Sequence, residues 1–467
     1  MSRQENGVAE GTLGLAWGFR PCASDIDLPP LVVIQHLEPA QFDRFMKGEI
    51  QEPMHVLMLV PHYEPDLGPS APLFAMLGAS LAERGHHVTV ITTVPHYPSG
   101  NVAPPYRNWK IWRSVENGVE VLRVPVPSVR RSSLPLRLMQ FMCYQLGATW
   151  AGRSQEFDVA LVANPALWVW LPFAWLIRRR QKPALFAVFD VFPDVGVALD
   201  VFRNDSVIAA VSSLERFCLR NSKVVSILSD SFRPGLRALG VPDEKMAVTH
   251  GWVDTELIRP MPHANPFAKE QGLADSFVVL YAGNLGLSQG LENVLAASEQ
   301  LVSEKDIRFV LVGDGAGRKA LVREAAEREL SNIQFLPFQP RQRLPEVLAT
   351  ASVSLVQLRK GIGGDSLPSK IWSILASGRP ILAAVDEGSE AWKLVTRAEA
   401  GLCVPPENPA ALAQAVLTLK NDPGLCERLG QNGRRWVERY NSPQAAAERH
   451  EALLAEAMVR NERRDIR

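Results

Sequence analysis

The sequence predicts an α/β chain of two doubly wound, Rossmann-like domains that face each other across a cleft. Three observations carry this. At 467 residues the chain is long enough for two domains with a sizeable core each. The run from Met54 to Thr92 reads as strand, glycine loop, helix and strand, a βαβ unit that calls for a parallel sheet. After a proline-rich change of character at 251–275, a second βα series begins.

The expected order is an irregular N-terminal extension (1–53), a first Rossmann-like domain (54–250), a linker (251–275), a second such domain (276–430) and C-terminal helices (431–467). The extension holds Pro21, Pro29 and Pro30 among mixed polar residues, with one apolar patch at Leu31 to Ile34. A start of translation at Met54 would also fit, since a strand follows it at once.

In the first domain, the strand Met54–Val60 leads into the loop Pro61–Ser70, with Gly68 near its end. A helix over Pro72–Arg84 is closed by Gly85-His86-His87, and Val88–Thr92 is the second strand. Further strands are expected at Val119–Val124, Val159–Ala163, Ala184–Phe189 and Lys223–Leu228. Such sheets bind ligands at the carboxyl ends of their strands. That singles out His62, Tyr63 and Gly68, then His96 and Tyr97, Asn164, Asp190 and Asp194, and Ser229. An acid at a strand end can accept a proton from a hydroxyl nucleophile or orient it, and Asp190 suits that role. Asp194 reads equally as a helix cap. For His62 and His96 the surface and catalytic readings both stand.

The stretch Val159–Ile177 contains no charged residue, but Asn164-Pro165 and Pro172 break it. It therefore reads as strand, turn and apolar helix rather than a membrane span. The helix carries Trp168, Trp170 and Trp175 and runs into Arg178-Arg179-Arg180 and Lys182. That suits either a packed core helix with a solvated end or a helix at a membrane interface.

In the second domain, strands are expected at Phe277–Tyr281, Arg308–Val312, Ile333–Leu336 and Val353–Val356. Gly283-Asn284-Leu285-Gly286 is a tight loop before a helix at Gly290–Leu301. Gly313 to Gly317 follows the second strand and lacks the last glycine of a dinucleotide fingerprint, so it reads as a tight turn. The organising stretch is Gly361 to Glu390. It opens with Gly361, Gly363 and Gly364, continues through the polar turn Asp365–Lys370, and enters a short apolar helix, Ile371–Ala376. Gly378 stops the helix, and Pro380–Val385 is a buried strand. Small residues let backbone N–H groups approach a ligand, and Lys370 adds a full positive charge, which suits nucleotide phosphates. An ordinary loop–helix–strand unit is the alternative.

Composition bounds the function. An apolar content of 46% and a charged content of 21% describe a soluble globular chain. The formal net charge of zero argues against a dedicated nucleic-acid binder. Cys22, Cys143, Cys218, Cys403 and Cys426 form no CxxC pair, which favours reduced thiols in the cytoplasm and no zinc framework. Glu5 and Glu10, with no long apolar run behind them, speak against a secretory signal.

Taken in order, a series of landmarks resembles the family-four retaining glycosyltransferases of the GT-B fold. They are the Gly68 loop, Gly85 to Thr92, Gly118-Val119-Glu120-Val121, Gly240-Val241-Pro242 and Gly251-Trp252-Val253-Asp254. Tyr281 to Gly286, Val312-Gly313-Asp314-Gly315, Pro368-Ser369-Lys370-Ile371 and Gly378-Arg379-Pro380 complete the series. The resemblance runs from Met54 to the C-terminal helix. It is closest to the bacterial surface-polysaccharide subgroup, such as colanic-acid and fucosamine transferases.

The resemblance implies a nucleoside-diphosphate sugar on the second domain and a glycan or lipid-linked acceptor on the first. It implies Lys370 on the diphosphate with Asn284 and Gly286 near it, and Gly68 approaching the donor. Gln289, Ser369 and Glu390 complete the expected donor set. Asp190 and Asp365 are the expected catalytic or sugar-contacting acids. No metal or cofactor is expected, because Lys370 and backbone amides would stabilise the leaving diphosphate. The chain departs from many members, which carry two glutamates where it has Asp365 and Ser373, and basic residues where it has Asn284 and Gln289. Ser373 cannot accept two ribose hydroxyls as a carboxylate can. The expected location is cytoplasmic, peripheral on the inner face of the membrane. The alternatives are a nucleotide-sugar epimerase of similar fold and an inactive binding subunit of a polysaccharide assembly complex.

Overall fold

The computed structural model describes residues 52–129, 134–192, 204–362 and 367–465. The first sheet contains β1 (His55–Leu59), β2 (His87–Thr93), β3 (Trp112–Glu116), β4 (Val119–Val124), β5 (Val159–Ala163), β6 (Ala184–Val188), β7 (Val224–Ile227) and β8 (Met246–Val248). Its order is β3-β4-β2-β1-β5-β6-β7-β8, and only β3 runs antiparallel. Around it lie α1 (Ala71–Glu83), α2 (Leu134–Gly152), α3 (Ala166–Pro172, continued by π-helical turns over Phe173–Arg178), α4 (Asp205–Asn221) and α5 (Arg233–Ala238).

The second sheet is wholly parallel, in the order β11-β10-β9-β12-β13-β14. Its strands are β9 (Phe277–Ala282), β10 (Ile307–Val312), β11 (Ile333–Leu336), β12 (Val353–Gln357), β13 (Ile381–Ala384) and β14 (Gly401–Val404). The remaining helices are α6 (Pro266–Glu270), α7 (Glu292–Gln300), α8 (Arg318–Glu327), α9 (Leu344–Ala349), α10 (Lys370–Ala376), α11 (Glu390–Arg397), α12 (Pro409–Asn421), α13 (Pro423–Tyr440) and α14 (Pro443–Asp465).

The physics is that of strands covered on both faces. β5 and β6 are buried at every residue, which is why Val159–Ala163 and Ala184–Val188 are unbroken apolar runs. Each sheet separates two cores. Leu57 and Phe186 point to one side of the first sheet, Met58 and Leu185 to the other. Leu280 and Tyr281 divide the second sheet in the same way. Chain order reverses at β1/β5 and at β9/β12, so ligand crevices belong at the carboxyl ends of those pairs.

Two segments behave differently from their sequence reading. The expected linker contains α6, whose Phe267 and Ala268 are fully buried in the second core. Asn265 caps that helix and donates through Nδ2 to Thr350 Oγ1 at 3.0 Å. At the other end, α13 runs straight through residues 430 and 431, and α14 returns to the first domain. Ala446, Leu453 and Leu454 join the core of Phe74 and Leu81 there. Glu451 binds Arg84 at 2.6 Å and lies 3.3 Å from His86. Burial works to raise the Glu451 carboxyl, but His86 and Arg84 outweigh it and hold the group below its ordinary value.

In α3, Trp168 is buried, Trp170 is half-buried, and only Trp175 is exposed. Pro172 removes a backbone donor, and the helix widens to π-type turns beyond it. Among the described residues no helix is long and apolar enough to cross a membrane.

Candidate active site

The carboxyl ends of β9 and β10 touch backbone to backbone. Gly283 (φ 143°) and Gly313 (φ 147°) adopt conformations that favour glycine, and a Cβ on Gly313 would collide with the carbonyl of Gly283. Asn284 is held from below, since Tyr281 Oη donates to its carbonyl at 2.8 Å. A Cβ on Gly286 would lie 2.6 Å from Gln289 Oε1 and 2.7 Å from Asn284 Nδ2. Asn284, Gly286 and Gln289 thus converge on one loop. Gln289 Nε2 donates to Ser288 Oγ, while its Oε1 is buried without a hydrogen bond among the described residues.

Lys370, the first residue of α10, reaches this loop. Its Nζ lies 3.6 Å from the ring centre of Tyr281 and 3.4 Å from where a Gly283 Cβ would sit. The ammonium is buried and has no hydrogen-bond partner among the described residues. Burial alone pulls its pKa down to about 7. Lys370, Gly283, Ser373, Phe338 and Gln339 line a cavity of about 210 Å³. The hollow is lined mostly by apolar side chains, among them Leu280, Val312 and Ile374, so a cation on the face of a ring is desolvated there and costs free energy while it lacks a counter-charge.

Ser369 occupies the cap position of α10 but makes no capping bond. Glu390 opens α11, pairs with Lys393 at 3.2 Å, and acts electrostatically on His250. Asp365 and Asp194, with Gly363 and Gly364, lie outside the described residues.

The facing domain presents a second cluster at the ends of β1 and β2. Asp66 is buried in it. Its Oδ1 accepts from the backbone N–H of Leu67 (2.8 Å) and Tyr97 (2.9 Å). Its Oδ2 is 2.7 Å from His62 Nδ1 and 3.7 Å from His96 Nδ1. Burial would raise the Asp66 carboxyl, but the His62 bond and the neighbouring histidine charges hold it below its ordinary value. His62, Asp66 and His96 are close enough to share an ion. His96 Nδ1 is, however, 3.0 Å from the carbonyl of Val94, and both Asp66 oxygens already accept hydrogen bonds, so protein contacts satisfy the donor set.

Gly68 belongs to this cluster: its Cβ would fall 2.6 Å from His62 Cγ, so the glycine makes room for the imidazole. Asp190 sits beyond β6, where its carbonyl accepts from Asn164 Nδ2. The residue is exposed, yet partial desolvation raises its carboxyl above the ordinary value. The loops after β1 and β11 meet through Glu64 and Arg341, 2.6 Å apart.

The structure therefore gathers Asn284, Gly286, Gln289 and Lys370 around Gly283, and sets Gly68 beside His62 on the other domain. Sequence reading overlooked Asp66 and Tyr281 as working residues. The available signal for Asp66 was its place four residues after His62 in a strand-end turn.

Two family models match this chain. Residues 265–436 match "Glycosyl transferases group 1", and residues 70–252 match "Glycosyl transferase 4-like domain". A putative colanic acid biosynthesis glycosyl transferase of Escherichia coli, WcaI, is 28% identical over 373 residues, covering 78% of this chain and 91% of the relative. A probable glycosyltransferase of Pseudomonas aeruginosa, WbjE, is 26% identical, covering 59% of this chain and 69% of the relative. Among solved structures, sucrose-phosphate synthase from Thermosynechococcus elongatus superposes with a TM-score of 0.64 at 20% identity, over 87% of this chain and 99% of its own. Anabaena HepE in complex with UDP-glucose gives 0.61 at 16% identity, over 86% and 100%.

Proposed function

We propose a reaction for this chain, which belongs to the group 1 glycosyltransferases of the GT-B fold: transfer of a sugar from a nucleoside-diphosphate donor to a hydroxyl acceptor, with retention at the anomeric carbon. The observation that carries the proposal is the buried ammonium of Lys370 beside Gly283, which has no hydrogen-bond partner among the described residues. A diphosphate there would restore the hydrogen bonds and counter-charge that burial removes. The amides of 283–286 and the side chains of Asn284 and Gln289 would complete the cradle, with Ser369 and Glu390 at its margins.

In the reaction, Lys370 stabilises charge as it grows on the leaving diphosphate. The acceptor hydroxyl enters from the first domain and attacks the face from which the diphosphate departs. Its proton passes to a donor phosphate oxygen. Asp190, beyond β6, and Asp365 are the acids proposed to hold sugar hydroxyls. His62, whose Nδ1 faces Asp66, is the residue proposed to hydrogen-bond the acceptor. Closure of the two domains limits hydrolysis by water.

The name of WcaI, a putative colanic acid biosynthesis enzyme, supports a role in polysaccharide biosynthesis, and the acceptor proposed here is a glycan or lipid-linked hydroxyl. Binding of UDP-, GDP- and dTDP-sugars, followed by nucleotide release on addition of a membrane lipid extract, tests this. Lys370→Ala should lose donor affinity by about tenfold or more. Wild-type affinity in that variant would remove Lys370 from the site.

A further inference from the structure

Among the described residues, the longest run of exposed large apolar side chains on one element lies on α2, beside Trp175 of the tryptophan-rich stretch. Leu138, Met142, Leu146 and Trp150 form one i, i+4 row along that helix, and Leu136 and Met139 stand beside it. All six are exposed, Leu146 at 57% and Trp150 at 59%. The opposite side of the helix packs inward through Phe141, Tyr144 and Ala148, with Gln140 and Gln145 buried and hydrogen-bonded to backbone. Over its 19 residues α2 carries no acid and a single base, Arg137. A helix facing water should carry charge outward; this one carries six large apolar side chains there instead.

The end of the row is ringed by cations. Arg153 lies 3.2 Å over the ring of Trp150, and Arg179 lies 4.5 Å over that of exposed Trp175. The two ends are neighbours, because Gly152 of α2 abuts Leu176. Long side chains that stack on an aromatic ring and hold a charged head beside it suit the boundary between acyl chains and headgroups. We propose that this face of α2, with Trp175, Arg153 and Arg179, docks the protein on a bilayer surface carrying anionic lipids. The occupant follows from the chemistry: an uncharged apolar row calls for acyl chains, and guanidinium groups with no acid on the helix call for lipid phosphates.

The position gives the docking a use. Phe141, on the inner side of α2, lies 4.2 Å from the ring of Trp168, which stands 5.9 Å from His62. Tyr144 Oη donates to the Ile91 carbonyl at 3.0 Å, at the strand ends that frame the cleft. An acceptor rising from the lipid along α2 would therefore meet the His62 side of the cleft. That last step rests on the proposed lipid-linked acceptor; the docking itself rests on the surface alone.

Flotation of the full chain with two kinds of vesicle tests it: phosphatidylcholine alone, and phosphatidylcholine mixed with phosphatidylglycerol. The mixed vesicles should carry about tenfold more protein, and added salt should release part of it. Leu146→Ser/Trp150→Ser should lower the bound fraction about tenfold, and Leu138→Gln/Met142→Gln, further along the row, should do the same. Circular dichroism and uridine diphosphate binding in these variants should match the wild type. Wild-type protein that ignores both vesicles, or a folded variant that floats as well as the wild type, overturns the proposal. So does a wild-type dimer in sedimentation that either pair dissociates, since that assigns the face to a second copy. Failure of uridine diphosphate to bind the wild type would count against the donor site and leave flotation unaffected.

Discussion

Lys370 Nζ stands 3.6 Å from the ring centre of Tyr281 with no hydrogen-bond partner among the described residues, so the strand end of β9 supplies the cation with a π face instead of an anion. A lysine in this state titrates near neutrality, at about 7, because desolvation penalises its charged form.

Donor binding should therefore take up protons. A diphosphate favours the ammonium, so the lysine's pKa rises on binding, and the free site must gain a proton wherever it starts neutral. Affinity for uridine diphosphate should fall as pH rises from about 7 to 9, by up to tenfold per pH unit while the bound lysine stays charged. Calorimetry in buffers of different ionisation enthalpy checks this: proton uptake should be near zero at pH 6 and substantial at pH 8. The Lys370→Met variant should bind weakly and show neither dependence.

Asp66 fixes the tautomer of His62 by facing its Nδ1, which leaves Nε2 as the acceptor. Asp66→Asn should preserve most of the loop's hydrogen bonding but lose that orientation. Turnover with acceptor is expected to drop on the order of tenfold to a hundredfold, while uridine diphosphate affinity stays unchanged. Steady-state kinetics beside a nucleotide titration separates the two. A change in nucleotide affinity alone would remove the pair from the acceptor side.

Glu451 ties α14 to the first domain through Arg84 and His86. Its folded pKa is depressed, so its contribution is complete above the unfolded value and is lost as pH falls through the folded one. Glu451→Gln should destabilise the chain by about 1–3 kcal/mol at pH 7. The gap to wild type should close as the pH falls below 4. Thermal denaturation at both pH values measures it.

Glu215 works in the opposite sense. It is buried in α4, accepts from the N–H of Ala166 at 2.7 Å, and desolvation pushes its pKa up to about 8. Ionising it costs the folded state, so its penalty is absent at pH 4 and grows as pH rises towards 8. Glu215→Gln keeps a carbonyl acceptor for Ala166 without the charge. It should leave stability near wild type at pH 4.5 and raise it at pH 8, by on the order of a few kcal/mol.

The interior strands were legible because parallel sheet buried on both faces leaves uninterrupted apolar runs, as in Val159–Ala163. β3 was not, because Trp112–Glu116 is a half-exposed antiparallel edge in which Arg113, Ser114 and Glu116 leave no apolar run and Val115 faces solvent. The three residues of β8 offer too short a pattern. In the site, Lys370 and the glycines of 283–286 stood out as residue types. What could not be read is that Lys370 ends on Tyr281, since β9 and α10 are nearly ninety residues apart in the chain and only folding joins them. The return of α14 was hidden for the same reason: its alanines and leucines look like any amphipathic helix until Phe74 and Leu81 meet them. The tryptophans of 168–175 drew attention to a helix that is mostly core, while the bare row on α2 was unmarked because helical periodicity does not say which apolar side is covered.

The chain passes between the domains twice, side by side, where Val253 N–H donates to the Asn441 carbonyl at 3.0 Å and Asn441 Nδ2 donates to the Gly251 carbonyl at 2.6 Å. Two strands pinned together restrict motion as a door's paired pivots do: swinging about one line is easy, while sliding or twisting apart breaks both bonds. A cut after Tyr440 would take away one pivot and strip the apolar side of α1 at the same stroke. Shortening the tail of this protein is thus an operation on its front half.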